Sequence, residues 1–200
     1  MGTRNLTCVF KDGEYKVAKY CQWDGYPSGQ GQSIIDFLVD TYKPKKFAKR
    51  VDQIVEVSNE EVKERWKACG ADDSGFVTMD IEQAFQVANS HLDRNLGGGK
   101  LLEYIQGTKN PEMGERYLEF AADSLFCEWC YVLDLDREQL EIYRGFNKEP
   151  LSFSERFFFL QDKSDSEYFP VKFLVAFKLN KKLEKKWNKW FEKYQQSEEE

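Results

Sequence analysis

Long apolar runs are missing from this sequence. No stretch of about 18 apolar residues occurs, so we predict no membrane-spanning helix. An apolar leader of the secretory type is also missing from the first residues, which disfavours export. The five cysteines are an odd number with irregular spacing, which argues against a disulfide framework. We therefore expect a cytoplasmic protein with reduced thiols.

Histidine is nearly absent, since His91 is the only one, and the net charge is -6. A net negative domain is a poor partner for nucleic acid, so we expect a small molecule or a partner protein instead. Cys127 and Cys130 have the spacing of a zinc or redox pair, but they fall in a strand pattern, where residues three apart point to opposite faces. With no second such pair in the chain, we predict neither a metal nor another cofactor.

Apolar residues make up 41% of the chain and aromatic residues 16%, which is enough to build a hydrophobic core. We predict one α+β domain over residues 1–196, followed by an acidic tail at 197–200.

The start of the chain predicts a β-hairpin, because two apolar runs flank Asp12-Gly13. A two-residue loop gives the cross-strand pairs Phe10–Tyr15, Cys8–Val17, Leu6–Lys19 and Arg4–Cys21. This register places Lys19 on the face opposite Thr3.

The centre of the chain has helical periodicity and the end has strand periodicity. We predict one helix that ends before Pro44 and others near 59–69, 78–92 and 99–107. Strands follow near 125–135, 140–143 and 171–177, with an amphipathic helix near 180–195. This order indicates an α+β layered fold with C-terminal antiparallel strands rather than a repeat of βαβ units.

The terminal helix carries an apolar stripe that includes Trp187 and Trp190, and lysines cover the rest of its surface. Such a helix docks on its own sheet or lies on a partner or an anionic membrane, and we favour docking. The glycine-rich segment 95–100 lacks the pattern of a phosphate loop, although a helix N-terminus there can still hold an anion.

The segment from Trp23 to Gly31 has the composition of a ligand-binding corner. Trp23 and Tyr26 supply aromatic walls, Asp24 supplies a carboxylate, and Gly25 permits close backbone approach, with Gln22 just before. A tightly packed turn is the alternative.

A second candidate site combines Arg4, Lys19 and Cys21, which the predicted register places together. Two cations beside Cys21 favour its thiolate. The alternative is an exposed rim of the sheet, where a lysine keeps its ammonium group in water.

Several segments carry a resemblance to known proteins. The chain opens Met1-Gly2-Thr3-Arg4-Asn5-Leu6 and carries Gln22-Trp23-Asp24-Gly25-Tyr26-Pro27-Ser28-Gly29-Gln30-Gly31. It resembles a family, found among fungal, bacterial and phage sequences, that opens M-G-T-R-x-L and carries Q-x-D-G-Y-P-x-G-x-G. No established activity comes with that family.

Gly2-Thr3 at the start of a strand is also similar to the N-terminal-nucleophile hydrolases, particularly proteasome-type subunits. This resemblance implies a layered sandwich in which Thr3, once terminal, is the nucleophile and its own amine is the base. Asn5, Gln22 and Asp24 surround it, with Asp24 the second catalytic candidate. The family's aspartate and lysine positions fall on Lys19 and Ile35, which is a departure.

Two functions therefore remain open. The first is an amide-bond hydrolase, or an inactive relative, that uses Thr3 and Asp24. The second is a non-enzymatic binding or inhibitor module that acts on a partner protein through the 23–31 loop or the basic terminal helix.

Overall fold

The computed structural model describes residues 2–74, 76–163 and 167–199, with side chains up to Ser197. The described part contains seven strands: β1 (Asn5–Lys11), β2 (Glu14–Cys21), β3 (Val55–Glu56), β4 (Glu112–Met113), β5 (Trp129–Asp134), β6 (Gln139–Arg144) and β7 (Lys172–Lys178). Five of them form one sheet in the order β2-β1-β5-β6-β7, and β3 pairs with β4. Within the large sheet β1 and β5 are parallel, and the other neighbours are antiparallel.

Six α-helices accompany the strands: α1 (Gln32–Asp36), α2 (Pro44–Val51), α3 (Asn59–Ala68), α4 (Met79–Ala88), α5 (Gly98–Gly107) and α6 (Leu183–Glu199). Single π-helical turns extend α1 on both sides, at Pro27–Gly31 and Phe37–Thr41. The prediction of an α+β protein with an N-terminal hairpin, central helices and a terminal helix is confirmed. Helix α2 and the β3–β4 pair were not predicted.

The large sheet separates two hydrophobic cores. On the helical face, Val9, Val17 and Tyr131 of the sheet pack with side chains of α1, α2, α5 and α6. On the second face, Leu6 and Cys8 pack with two 3-10 segments, Leu118–Ala122 and Phe158–Lys163. Because both faces are covered, the central strands are apolar on both sides.

The hairpin turns at Asp12-Gly13 as predicted, but its register is wrong beyond the first pairs. Phe10 pairs with Tyr15, whereas Val9 pairs with Val17, so Lys16 is an extra residue in β2. Such a bulge reverses the direction of every later side chain on its strand relative to the partner. Lys19 and Cys21 therefore lie on the helical face, together with Val17 and Val9. The predicted register places them on the other face, with Leu6 and Cys8.

The expectation that Cys127 and Cys130 point to opposite faces is also wrong. Strand β5 begins only at Trp129, so Cys127 precedes it and its side chain is free to turn. Both thiols lie in the second-face core together with Cys8. No group of three His, Cys, Asp or Glu residues suited to a metal occurs among the described residues.

Helix α6 packs on the helical face of the sheet, as favoured from its stripe. Trp187 is 0% exposed and contacts Phe177 of β7, and its Nε1 donates a hydrogen bond to Gln32 Oε1 at 2.7 Å. The helix runs on to Glu199, so the described residues of the expected acidic tail continue α6. Among the described helices, none is long and apolar enough to cross a membrane.

Candidate functional site

The loop after β2 forms a tight turn beneath the start of β1. Asp24 has a φ of +57° and its carbonyl accepts a hydrogen bond from the N–H of Gln30 at 2.8 Å. The N–H of Gly25 donates to the carbonyl of Thr3 at 3.0 Å, and the Gly25 carbonyl accepts from the Tyr131 hydroxyl at 2.8 Å. The loop is therefore fixed to the segment just before β1 and to β5.

Buried polar groups beside this turn are used to hold it. The Asn5 amide donates to the carbonyl of Trp23 at 3.2 Å, and the Cys21 thiol donates to the same carbonyl at 3.6 Å. The amide of Gln30 donates to Cys21 Sγ at 3.6 Å, and Gln22 accepts from the Tyr20 hydroxyl. These contacts fit the packed-turn alternative for the inner side of the loop.

Thr3 lies next to this turn and is 4% exposed. The bulge brings Lys19 onto the same face, but Lys19 pairs with Thr7, four residues further along β1. At a rise of about 3.3 Å per residue in extended backbone, four residues separate the Cα atoms of Thr3 and Thr7 by up to roughly 13 Å. Gly2 packs closely under the Trp23 ring, so Thr3 is covered as well. The hydrolase hypothesis stays a prediction, and it needs Thr3 to become terminal and uncovered.

The cluster of Arg4, Lys19 and Cys21 is not formed. Arg4 lies on the second face, where its guanidinium lies 4.4 Å from the centre of the Phe126 ring. Burial raises the pKa of the Cys21 thiol more than its hydrogen bonds and Lys19 lower it, so the thiolate is disfavoured. Burial also lowers the pKa of Lys19, and Asp93 acts in the opposite direction.

The N-terminus of α5, a candidate for anion binding, is occupied by the protein itself. The N–H of Gly98 donates to the Thr7 hydroxyl at 3.1 Å, and the N–H of Gly99 donates to the Ser33 hydroxyl at 3.0 Å. These donors are therefore satisfied within the fold.

The outer side of the loop faces a different environment, which we call the aromatic cleft. It has a volume of about 340 Å³ and lies between the loop and α6. Its lining includes Tyr26, Glu128, Trp129, Arg144, Phe146 and Tyr194. The two surfaces predicted separately as binding elements, the loop and the terminal helix, thus meet at one cleft. Trp23, 48% exposed, and Asp24 lie on the same loop but do not line it.

Phe146 is the residue of this cleft with the least ordinary backbone. Its φ is +56° and its ring is 50% exposed. Its N–H donates to the Ser124 carbonyl at 2.7 Å, and the preceding Gly145 donates to the Glu128 carbonyl at 2.8 Å. A Cβ on Gly145 would overlap the carbonyl of Cys127, so the chain has little freedom to relax here.

Sequence reasoning identified Tyr26 but missed the other walls of the cleft. Trp129 belongs to the helical-face core and Tyr194 packs against it, so their positions in an apolar strand and an apolar helix stripe gave no sign of a cleft. Phe146 had one usable signal, because Arg144-Gly145-Phe146-Asn147 places an aromatic residue in a turn directly after a strand.

Comparison of the chain with known protein families, with curated proteins and with solved structures gives no match.

Proposed function

We propose that this chain is a binding module that holds an extended, proline-containing segment of a partner protein in the aromatic cleft. The observation that carries the proposal is Phe146, a half-exposed aromatic residue at positive φ. A left-handed conformation costs a residue with a Cβ about 1–2 kcal/mol relative to the ordinary region. Glycine would avoid this cost, so the exposed phenyl ring has a use outside the fold.

The composition of the cleft supports a protein partner. Aromatic and arginine side chains dominate binding energy at protein interfaces, and Tyr26, Phe146 and Arg144 are of these types. Tyr26 is 54% exposed, so its ring is available without rearrangement. The hydrogen bonds of the loop hold Tyr26 in place, which reduces the entropy lost on binding.

The shape of the cleft supports a proline-containing segment. Its volume of about 340 Å³ is at the lower end for small-molecule sites and suits one or two side chains. Grooves lined by aromatic rings bind polyproline-type segments well, because these segments are already extended and lose little entropy. Tyr26 and Phe146, both half-exposed, supply such a surface.

Glu128 supplies the polar contact that would orient the segment. Its Oε1 accepts the N–H of Arg4 at 3.3 Å, and no described residue donates to its Oε2. A carboxylate with a free oxygen beside an aromatic groove favours a basic residue next to the proline.

The binding test uses a displayed library of random peptides. We expect the full chain to enrich peptides with proline and a basic residue. Phe146→Gly and Tyr26→Ala should each weaken a selected peptide at least about tenfold, or about 1.4 kcal/mol. Phe153→Ala is the matched control, because Phe153 is an exposed phenylalanine that does not line the cleft. If the selected peptides bind the Phe146→Gly variant as tightly as they bind the wild type, the proposed binding function is wrong.

The free-energy cost of the positive φ at position 146 is tested by comparing the stabilities of two variants. We expect Phe146→Gly to be about 1 kcal/mol more stable than Phe146→Ala, because only alanine keeps the left-handed cost. At ordinary φ the order is reversed, since glycine then costs more than alanine. Urea denaturation of both variants measures the difference. If the alanine variant is at least as stable as the glycine variant, the positive φ at position 146 costs no free energy. The proposed binding function then loses its main argument.

A further inference from the structure

A second, larger cleft lies at the opposite end of β5 and β6. Its volume is about 710 Å³, and the β1–β2 turn, the β5–β6 turn and the segment before Phe158–Lys163 enclose it. We call it the arginine cleft, after the side chains of Arg116, Arg137 and Arg156 that line it.

Arg156 is held rigidly at the inner wall of this cleft. Its Nε donates to Glu141 Oε2 at 2.6 Å and its Nη2 to Glu141 Oε1 at 3.0 Å, and Nη2 also contacts Asp134 Oδ2. The guanidinium lies 4.5 Å from the centre of the Phe10 ring. Its Nη1 group donates to none of the described residues. A fixed guanidinium with one free edge is suited to an oxyanion.

Tyr15 supplies a second unused donor beside Arg156. Its hydroxyl oxygen is enclosed and has no hydrogen-bond partner among the described residues. Burial, together with the neighbouring Cys8, raises the pKa of Tyr15, so the hydroxyl keeps its proton at neutral pH. A buried hydroxyl without a partner destabilises the folded state. An acceptor atom of a ligand would remove that cost.

The carboxylates that line the cleft are already matched. Asp134 contacts Arg156 directly. Asp136 accepts hydrogen bonds from two N–H groups of the β1–β2 turn at 2.8 and 2.9 Å, which lowers its pKa. Glu14 forms an ion pair with a lysine of its own strand. Asp134 and Glu14 are therefore offset by cations, whereas Asp136 stays ionised and keeps its negative charge at the cleft.

The other two arginines are held loosely. Arg116 donates from Nη1 to the carbonyl of Tyr15 at 3.1 Å, and its nearest carboxylate is Glu56 at 3.6 Å. Arg137 lies 3.7 Å from Glu141 and is 66% exposed. Both side chains can turn toward a ligand at small cost, which adds positive charge at the mouth of the cleft.

Flat apolar surfaces form the rest of the cleft. Phe10 and Tyr15 meet edge to face at a centroid distance of 5.1 Å, and Phe159 presents a half-exposed ring. The volume lies within the usual range of small-molecule sites, about 300–1,000 Å³. Aromatic walls of this kind bind a planar ring by stacking.

We propose that the arginine cleft binds a small molecule in which an oxyanion, a carboxylate or a phosphate, is joined to a planar ring. The oxyanion accepts from Arg156 Nη1 and the Tyr15 hydroxyl, and Arg116 and Arg137 close over it. The ring lies against Phe10 and Phe159. This site is separate from the aromatic cleft and does not depend on it.

Calorimetric titration of the full chain tests the proposal with four probes. Indole-3-acetate and adenosine 5′-monophosphate combine a ring with a carboxylate or a phosphate, whereas adenosine has only the ring and inorganic phosphate only the oxyanion. We expect at least one of the first two to bind about tenfold more tightly than adenosine and phosphate. The tighter of the two identifies carboxylate or phosphate as the natural group.

Four substitutions locate the binding. Tyr15→Phe removes the unpartnered hydroxyl, so it should leave the protein equally or more stable while weakening the better probe at least about fivefold. Arg116→Gln should weaken it similarly, and Arg94→Gln, which removes an exposed arginine elsewhere, should not. Tyr26→Ala, in the aromatic cleft, should bind the probe as the wild type does.

Three results would each overturn the proposal. The first is that neither ring-bearing anion saturates the protein at millimolar concentration. The second is wild-type affinity in Tyr15→Phe. The third is an equal loss in Arg94→Gln and Arg116→Gln, which indicates general attraction to positive charge.

Discussion

At the scale of single residues, positive φ angles divide the loop positions into two kinds. Asp12 and Asn110 have φ values of +55° and +54°, and Asp24 has +57°. Short polar side chains tolerate this region because they hydrogen-bond locally, so these residues are turn formers. Glu138, with a φ of +50°, and Phe146 have no short polar side chain, and of these two only Phe146 lines the aromatic cleft, so the functional proposal rests on Phe146.

Asp24 is therefore expected to act through its backbone. Asp24→Asn keeps a short polar side chain and should change the free energy of unfolding by less than about 0.5 kcal/mol. Asp24→Val should cost about 1–2 kcal/mol, because a branched side chain is poorly accommodated at this φ. Thermal denaturation measures both. A large loss in Asp24→Asn would instead give the carboxylate itself a structural role.

The sequence predicted the position of Asp24 in the loop, while its catalytic role stays a prediction. Asp24, Gly25 and Tyr26 share one turn after β2, as the composition of the segment indicates. Which side of that turn faces solvent depends on Thr3, just before β1, and on Tyr131 of β5, which both contact it. That information is not local, so the inner and outer sides could not be separated in advance.

At the scale of elements, local signals were sufficient for most helices and for the hairpin turn. The helices predicted near 59–69 and 99–107 correspond to α3 and α5, and Thr78 caps α4 as its position indicates. The bulge at Lys16 was missed because no turn rule requires it. The bulge is explained by packing in the core instead, because it lets the Val17 side chain face the helical side beside Val9.

Helix α6 is expected to be a large contributor to stability through one residue. Trp187→Ala removes a fully buried indole and should cost about 3–5 kcal/mol of unfolding free energy. Lys186→Ala, on the exposed side of the same helix, should change it by less than about 0.5 kcal/mol. Urea denaturation of both variants distinguishes docking from partner binding. Equal stability of the two variants would contradict the docked arrangement.

At the scale of the whole molecule, pairings between distant segments were beyond the sequence. Strand β1 lies between β2 and β5, and Asn5 pairs with Trp129 in parallel. The arginine cleft likewise joins Phe10 to Arg156. Periodicity in a single sequence indicates which residues of one helix or strand share a face. It carries no information on which strands become neighbours in a sheet.

One buried ion pair gives the whole molecule a dependence on pH. Burial raises the pKa of Glu141, but Arg156 and the Tyr143 hydroxyl outweigh burial and hold that pKa below its model-peptide value of 4.5. A lowered folded pKa contributes stability that is present above the unfolded value and is lost as pH falls through the folded one. We therefore expect unfolding free energy to fall with acidification below about pH 4.5.

Glu141→Gln tests this assignment, because glutamine does not titrate. The variant should be less stable than the wild type at neutral pH, and the gap should narrow as pH falls below about 4.5. Urea denaturation at several pH values measures the gap. A gap that stays constant down to about pH 3 would assign the acid sensitivity to other carboxyl groups.

Because β1 pairs with β5, one edge of β1 waits for a partner strand that is synthesised much later. The ribosome releases the β1–β2 hairpin before β5, so the inner edge of β1 has no partner until residues 129–134 emerge. The hairpin is apolar on both faces, with Leu6 and Cys8 on one and Val9 on the other. An open strand edge of this kind invites association between nascent chains. The hairpin is thus completed only once β5 has been synthesised, and its open edge needs protection until then.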